Sequence, residues 1–134
     1  MAAAVDEYFD CVARADREGL LALFRPDLRW RVPDGAIEPY AGLHEGAEKI
    51  ADTMLESVAG AFVPGTQKTQ ILNRVYGEEL AVAEAHMTAT TPQGAEYRNS
   101  YVFFFEFQDG RIQEIREHVD TRHAADFFAS GARE

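Results

Sequence analysis

The sequence is poor in the residues on which several classes of functional site depend. Its single cysteine, Cys11, excludes an internal disulfide bond and a cluster of thiolate ligands, so we interpret it as a small buried side chain of a helix. The four histidines form no i, i+4 pair backed by a third ligand, and we therefore expect no metal. Glycine-rich phosphate loops, G-x-S-x-G elbows and Cys/His nucleophile pairs are also missing. We expect chemistry that needs no cofactor.

Basic clusters and long apolar runs are missing as well. With 13 basic and 23 acidic residues the formal net charge is −10, and no group of lysines or arginines offers a site for a phosphate backbone. No apolar run reaches the roughly 18 residues that span a bilayer, and residues 1–9 lack the basic and then apolar segments of an export signal. We therefore expect a cytoplasmic protein with neither nucleic acid nor membrane among its partners.

The 134 residues predict one domain, residues 1–134, that is long enough to bury a substantial core. Apolar residues at helical spacing predict a first helix over Ala3–Glu18, a short second helix over Leu20–Phe24 and a third over roughly Glu45–Ala59. A strand is predicted at Leu28–Val32, and a loop through residues 39–42 leads from it to the third helix.

Four strand-like runs, joined by short turn sequences, follow the third helix. The runs are Thr66–Tyr76, Leu80–Thr91, Tyr97–Phe107 and Arg111–Asp120. Consecutive hairpins make an antiparallel meander, and helices segregated from such a sheet define an α+β domain. In the tail, residues 124–128 predict about one helical turn that covers an edge of the sheet.

The most informative segment is the hairpin that turns at Asp109-Gly110. Both central residues of such a turn need a positive φ, which Asp-Gly adopts at low cost, so the turn fixes the register of both arms. The first arm places one row of side chains inward: Asn99, Tyr101, Phe103, Phe105 and Phe107. An amide and a hydroxyl thus enter an apolar interior. Because buried polar groups need partners, this predicts either an internal hydrogen-bond network or a ligand pocket.

The second arm of the hairpin needs an irregularity to bury its isoleucines. Ile112 and Ile115 lie three positions apart and would face opposite sides of a regular strand, so we expect a β-bulge between them. After the bulge Ile115, Glu117 and Val119 point inward, and burial should raise the pKa of the Glu117 carboxyl toward the range useful for proton transfer. Without a bulge, Asp120 would belong to the inward row and would be the acid instead.

The order of two helices, a strand, a long helix and a four-strand meander resembles the NTF2-like superfamily, and within it the SnoaL-like and ketosteroid-isomerase-like proteins. The resemblance is carried by Tyr8, Ala15–Leu20, Asp27–Pro33, Tyr40–Gly42 with Gly46, Tyr101–Phe107, Asp109–Ile112 and Glu117–Thr121. It implies a cone-shaped α+β fold over nearly the whole chain, with a curved, mostly antiparallel sheet and a homodimer formed through its uncovered face. The superfamily includes isomerases, dehydratases, epoxide hydrolases, polyketide cyclases and non-catalytic binding domains, so the fold alone does not assign a reaction.

The resemblance can be carried over at a few positions. The oxyanion-hole tyrosine of ketosteroid isomerase falls on Tyr8, but its catalytic base falls on Val32 and its protonated aspartate on Phe103. With both acids missing, we do not expect steroid isomerisation by that mechanism. The acid/base aspartate of SnoaL-type polyketide cyclases falls on Glu117, whose longer carboxylate could still move a proton.

The strand near residues 80–91 has two rows that could face inward. The family alignment implies the row Val82, Glu84, His86 and Thr88, whereas hydrophobicity is equally satisfied by the row Ala81, Ala83, Ala85 and Met87. In the first arrangement His86 lies beside Tyr101, and a stripe of His86, Tyr101 and Glu117 offers an acceptor, a hydroxyl and an acid. In the second, His86 and Glu84 face solvent or a dimer partner.

We therefore expect a mainly apolar pocket with a few polar groups. The predicted catalytic residues are Glu117, His86, Tyr101 and Tyr8, and the predicted substrate-binding residues are Trp30, Val32, Met54, Phe62, Asn99, Phe103 and Ile115. The ligand would be a hydrophobic carbonyl-bearing or cyclic small molecule, and the reaction that of a cyclase, isomerase, dehydratase or hydrolase. Alternatively, the chain is a non-catalytic ligand-binding or dimerisation module, Tyr8 is a core residue and Asn99 ties a strand end.

Overall fold

A computed structural model describes residues 1–129, which contain four helices and six strands. The helices are α1 (Ala2–Arg14), α2 (Arg17–Leu23), α3 (Ala47–Ala61) and α4 (Thr121–Ala129). The strands are β1 (Phe24–Val32), β2 (Gly42–Glu45), β3 (Lys68–Tyr76), β4 (Leu80–Thr90), β5 (Glu96–Gln108) and β6 (Arg111–Val119). None of these helices is both long enough and apolar enough to cross a bilayer.

The first helix ends at Arg14, before the predicted end at Glu18. Helix α1 ends at Arg14 because Ala15 adopts the left-handed conformation, with φ 56°, and Asp16 then caps α2 by accepting a 2.9 Å hydrogen bond from the Gly19 amide. Glycine is needed at position 19, because an added Cβ would lie 2.6 Å from Sγ of the buried Cys11. The two helices can therefore pack closely together.

The six strands form one mixed sheet in the order β2-β1-β6-β5-β4-β3. Strands β3 to β6 form the predicted antiparallel meander, and β1 joins β6 in parallel. Strand β2 lies in the segment predicted as a loop and pairs with β1, with Trp30 opposite His44. Helix α4 is also longer than the single turn that we expected. The predicted α+β cone is otherwise confirmed.

The inner face of the sheet holds the core. The predicted inward row of β5 is buried, and it is extended by Tyr97 at the N-terminal end of the strand. The rings of Tyr8 and Phe9 on α1 contact this row, with centroid distances of 5.3 Å from Tyr8 to Phe105 and 5.0 Å from Phe9 to Phe103. Helix α1 therefore closes one side of the cone.

The predicted β-bulge is present in β6. Phe107 pairs with Ile112 and Glu106 pairs with Glu114, so Gln113 is the extra residue between them. The register then sets Ile115 opposite Phe105, Glu117 opposite Phe103 and Val119 opposite Tyr101, all in the inward row. Glu117 reaches the interior for this reason.

The family-derived orientation of β4 was wrong. Ala85, not His86, pairs with Tyr101, and the buried row consists of Ala81, Ala83, Ala85 and Ala89. Small side chains fit there because the rings of β5 and α1 already fill the space above this strand. His86 pairs with Ser100 on the outer face, and Glu84 is exposed and accepts a 2.7 Å hydrogen bond from Asn73.

Candidate active site

A cavity of about 560 Å³ opens between the inner face of the sheet and helices α1, α3 and α4. Its wall is mostly apolar. Of the residues proposed from the sequence, those that line it are Tyr8, Trp30, Val32, Met54, Phe62, Tyr101, Phe103 and Glu117. A cavity of this size can enclose a small organic molecule.

Three proposed site residues do not line the cavity. His86 lies on the opposite face of the sheet, so the predicted stripe of His86, Tyr101 and Glu117 does not form. Ile115 is fully buried in the core. Asn99 is 4% exposed and does not face the cavity, but it donates a hydrogen bond to Tyr97, which lines the wall.

Glu117 is an acidic residue of the cavity wall, and the bulge in β6 turns its side chain inward. Its Oε1 accepts a 3.3 Å hydrogen bond from Nε1 of Trp30, which lies on β1 opposite Ile115. Burial among apolar groups raises the pKa of the Glu117 carboxyl to about 7, and the Trp30 hydrogen bond lowers it by a smaller amount. Near neutral pH both protonation states are populated, as a general acid or base requires.

Tyr8 projects from α1 to the cavity and has a weak polar partner. Its hydroxyl donates to Sδ of Met54 at 3.7 Å. Burial, and then the negative charge of Glu117, raises the pKa of Tyr8 well above its ordinary value. The phenol therefore stays protonated and can only act as a hydrogen-bond donor or a neutral acceptor.

A second polar group of the wall lies on β5. The hydroxyls of Tyr97 and Tyr101 are 3.0 Å apart, and Nδ2 of Asn99 donates to Oη of Tyr97 at 2.8 Å. Burial is the main reason why the pKa values of both phenols are raised, and so both stay protonated. Tyr97 was not among the residues proposed from the sequence, although its place two residues before Asn99 in the inward row was a sufficient signal.

Helix α4 supplies a part of the wall that was not predicted from the sequence. Thr121, Ala124 and Phe128 line the cavity, and the Phe128 ring lies 6.1 Å from that of Phe62 and 5.5 Å from that of Tyr97. The spacing of Ala124 and Phe128, i and i+4, is the helical signal for this contact. Helix α4 thus closes the cavity beside Tyr97.

The acidic and histidine side chains of residues 1–129 include no group of three or more that could hold a metal ion. What the cavity offers instead is one carboxyl with a near-neutral pKa and phenolic donors that remain protonated. Such a set can take a proton from carbon, stabilise the resulting oxygen anion and return the proton.

Comparisons with known proteins agree on the fold. Residues 5–115 match the family model of the SnoaL-like domain. No curated protein matches the sequence. Similar solved structures include an NTF2-like protein of unknown function from Burkholderia pseudomallei, at 24% identity over 92% of both chains with a TM-score of 0.79.

Two further structures carry more specific names. TerC, co-crystallised with polyporic acid, is 19% identical over 96% of this chain and 97% of its own, with a TM-score of 0.82. A protein of Jannaschia sp. CCS1 described as a SnoaL-like polyketide cyclase is 18% identical over 93% of this chain and 88% of its own, with a TM-score of 0.75. At these identities the likeness establishes a common fold.

Proposed function

Because this chain belongs to the SnoaL-like domain family, we propose that it is a cofactor-independent acid/base enzyme whose proton-transfer group is Glu117. The observation that carries the proposal is the position of this carboxyl in the wall of an apolar cavity, with a pKa of about 7. His86, on the other face of the sheet, has no part in it.

The proposed reaction starts with a carbonyl compound in the cavity. The ionised Glu117 carboxylate takes a proton from the carbon next to the carbonyl group. The electron pair of that C–H bond forms the C=C bond of an enolate, and the π pair of the C=O bond moves to the oxygen. A phenolic O–H of Tyr101 or Tyr8 donates a hydrogen bond to the resulting oxygen anion. The protonated Glu117 then returns the proton to the same or another atom, as isomerisation, cyclisation or elimination requires.

The substrate class follows from the wall of the cavity. Its mainly apolar surface and volume of about 560 Å³ suit a hydrophobic, cyclic or polycyclic carbonyl compound, held in place by a few polar groups. Two proteins of the same fold support a ligand of this kind, since one is described as a polyketide cyclase and the other was crystallised with polyporic acid.

The proposal can be tested without knowing the natural substrate. In deuterium oxide, α-tetralone and related bicyclic ketones lose their α-proton signals in the proton NMR spectrum as the enzyme exchanges them. Replacing Glu117 by Gln keeps the size and the Trp30 contact but removes the titrating acid, so exchange should slow by roughly two to four orders of magnitude. Glu84→Gln is the matched control, because Glu84 lies on the outer face.

Two results would contradict the proposal. Exchange at the wild-type rate in Glu117→Gln would remove Glu117 from the chemistry. Tight binding of the ketones by the wild-type protein without exchange would make the chain a ligand-binding module.

A further inference from the structure

Three polar side chains of β5 form a continuous hydrogen-bonded series that ends at the cavity wall. We infer that Asn99, Tyr97 and Tyr101 form a one-way relay that presents the Tyr101 O–H to an oxygen atom of the ligand. The inference deepens the proposed function and rests on it: it assigns the oxygen-binding donor to Tyr101 rather than Tyr8, and it makes Tyr97 and Asn99 positioning residues.

The orientation of the Asn99 amide is fixed by two backbone groups. Its Oδ1 accepts from the Ser100 amide at 2.8 Å, and its Nδ2 donates to the Asp120 carbonyl oxygen at 3.0 Å. A backbone N–H can only donate and a backbone carbonyl can only accept, so exchanging the two ends of the side-chain amide would break both bonds. The contact from Nδ2 to Tyr97 is therefore a donation from Asn99.

A count of hydrogens shows that one phenolic O–H is unused. The two hydrogens of Nδ2 go to Asp120 and to Tyr97, and the 3.0 Å contact between the tyrosine hydroxyls uses one of their two hydrogens. Whichever tyrosine donates to the other, one O–H remains, and within residues 1–129 neither hydroxyl has another hydrogen-bonded acceptor. Both tyrosines line the cavity, so this O–H is available to a ligand.

Cooperativity sets the direction of the series. A hydroxyl that accepts a hydrogen bond becomes a stronger donor, so the donation from Asn99 favours Tyr97 as donor to Tyr101. The opposite direction would place two donors on the Tyr97 oxygen and none on Tyr101. The unused O–H therefore belongs to Tyr101.

Tyr101 is also the tyrosine of the pair that lies nearer to Glu117. Tyr101 pairs with Val119, two residues from Glu117 on β6, whereas Tyr97 lies four residues farther along β5. A carbonyl compound whose α-carbon reaches Glu117 can thus place its oxygen at Tyr101. The relay selects ligands with an oxygen acceptor, such as a ketone or an enolate, over ligands that carry only donors.

The test measures the carbonyl group of bound α-tetralone. Infrared difference spectroscopy reports the strength of the hydrogen bond to the ketone oxygen, and fluorescence of Trp30, the single tryptophan of the chain, reports affinity. Tyr101→Phe should shift the carbonyl stretch to higher frequency and weaken binding by about tenfold. Tyr97→Phe and Asn99→Asp should each shift it part of the way, because a carboxylate at position 99 can accept but cannot donate to Tyr97. Tyr76→Phe, on β3 outside the cavity, is the matched control.

The outcomes separate the relay from a structural tie and from the proposed enzyme. If Asn99 and Tyr97 have a purely structural role, their folded variants will leave the carbonyl frequency unchanged, and that result overturns the inference. A wild-type protein that binds no ketone also overturns it. If Asn99→Asp fails to fold, Tyr97→Phe alone decides. A shifted carbonyl without α-proton exchange keeps the relay and refutes the enzyme, whereas exchange with an insensitive carbonyl keeps the enzyme and refutes the relay.

Discussion

The Glu117 carboxyl is subject to two opposing influences at the residue scale. Removal from bulk water favours its neutral form, and the hydrogen bond from Trp30 favours the carboxylate, with burial the larger effect. A proton-transfer group obtained in this way has a thermodynamic cost, because the folded protein resists an ionisation that the unfolded chain undergoes freely.

This cost predicts a specific dependence of stability on pH. The unfolded chain ionises Glu117 near pH 4.5 and the folded protein near pH 7, so between these values the folded state holds the extra proton. The free energy of unfolding should therefore fall as the pH rises through this window, by about 3 kcal/mol, and then level off. Urea unfolding at several pH values should show that Glu117→Gln lacks this loss, so its stability relative to the wild type rises across the window.

Trp30→Phe provides the companion variant. Without the indole N–H, the pKa of Glu117 should rise further and the window should extend to higher pH. A constant stability difference between wild type and Glu117→Gln from below pH 4.5 to above pH 7 would show that the carboxyl titrates normally.

Some residues of the site could be predicted from the sequence and others could not. Glu117 was predictable because two isoleucines three positions apart can share the core only through a bulge, and the bulge turns Glu117 inward. The error on His86 has a different origin. The family alignment implied the row of His86, and the apolar row of alanines was equally compatible with burial. Packing against α1 selects the alanines. That choice depends on tertiary contacts, which the local pattern does not contain.

At the scale of elements, the bulge in β6 predicts the effect of a deletion. Removing Gln113 would leave the fully buried Ile112 and Ile115 two positions apart, so a regular ladder would keep both isoleucines, and Glu117 after them, in the inward row. The deletion should therefore cost little more than the contacts of Gln113 itself, about 1 kcal/mol in urea unfolding, and the pKa of Glu117 should stay near 7.

A substitution at the same position separates the bulge from the side chain. Gln113→Ala keeps the extra residue and loses the 3.1 Å hydrogen bond from Nε2 to the Asp27 carbonyl, which should cost about 1 kcal/mol. A deletion far more harmful than this substitution, or one that abolishes the near-neutral titration of Glu117, would show that Gln113 is not simply the extra residue of the ladder.

Elements with strong local chemistry were predictable, and those formed by tertiary pairing were not. The Asp109-Gly110 turn has φ values of 52° and 79°, as its two-residue hairpin requires. Strand β2 has four residues, and apolar and polar residues do not alternate in its sequence. It forms because it can pair with the edge of β1. Helix α4 is stabilised largely by the rings of Phe62 and Tyr97, which are distant in sequence.

At the scale of the whole molecule, the two faces of the sheet differ. The described helices pack on the inner face, whereas the outer face bears a row that crosses four strands through Val75, Val82, Phe104 and Arg116. Val75 is 65% exposed, and the Arg116 guanidinium lies 5.2 Å from the centre of the Phe104 ring. An apolar row with charged neighbours is typical of a surface between two protein chains.

We propose that this outer face joins two copies of the chain in a homodimer, in which each copy presents the same row to the other. Sedimentation should then give twice the 15.0 kDa chain mass at micromolar concentration. Val75→Glu should shift the protein toward the monomer, because it sets a charge in the apolar row without disturbing the core. Val63→Glu is the control, since Val63 is also exposed but lies in the loop after α3. A wild-type monomer would contradict the proposal, and so would equal effects of the two substitutions, because the outer row would then have no special part in association.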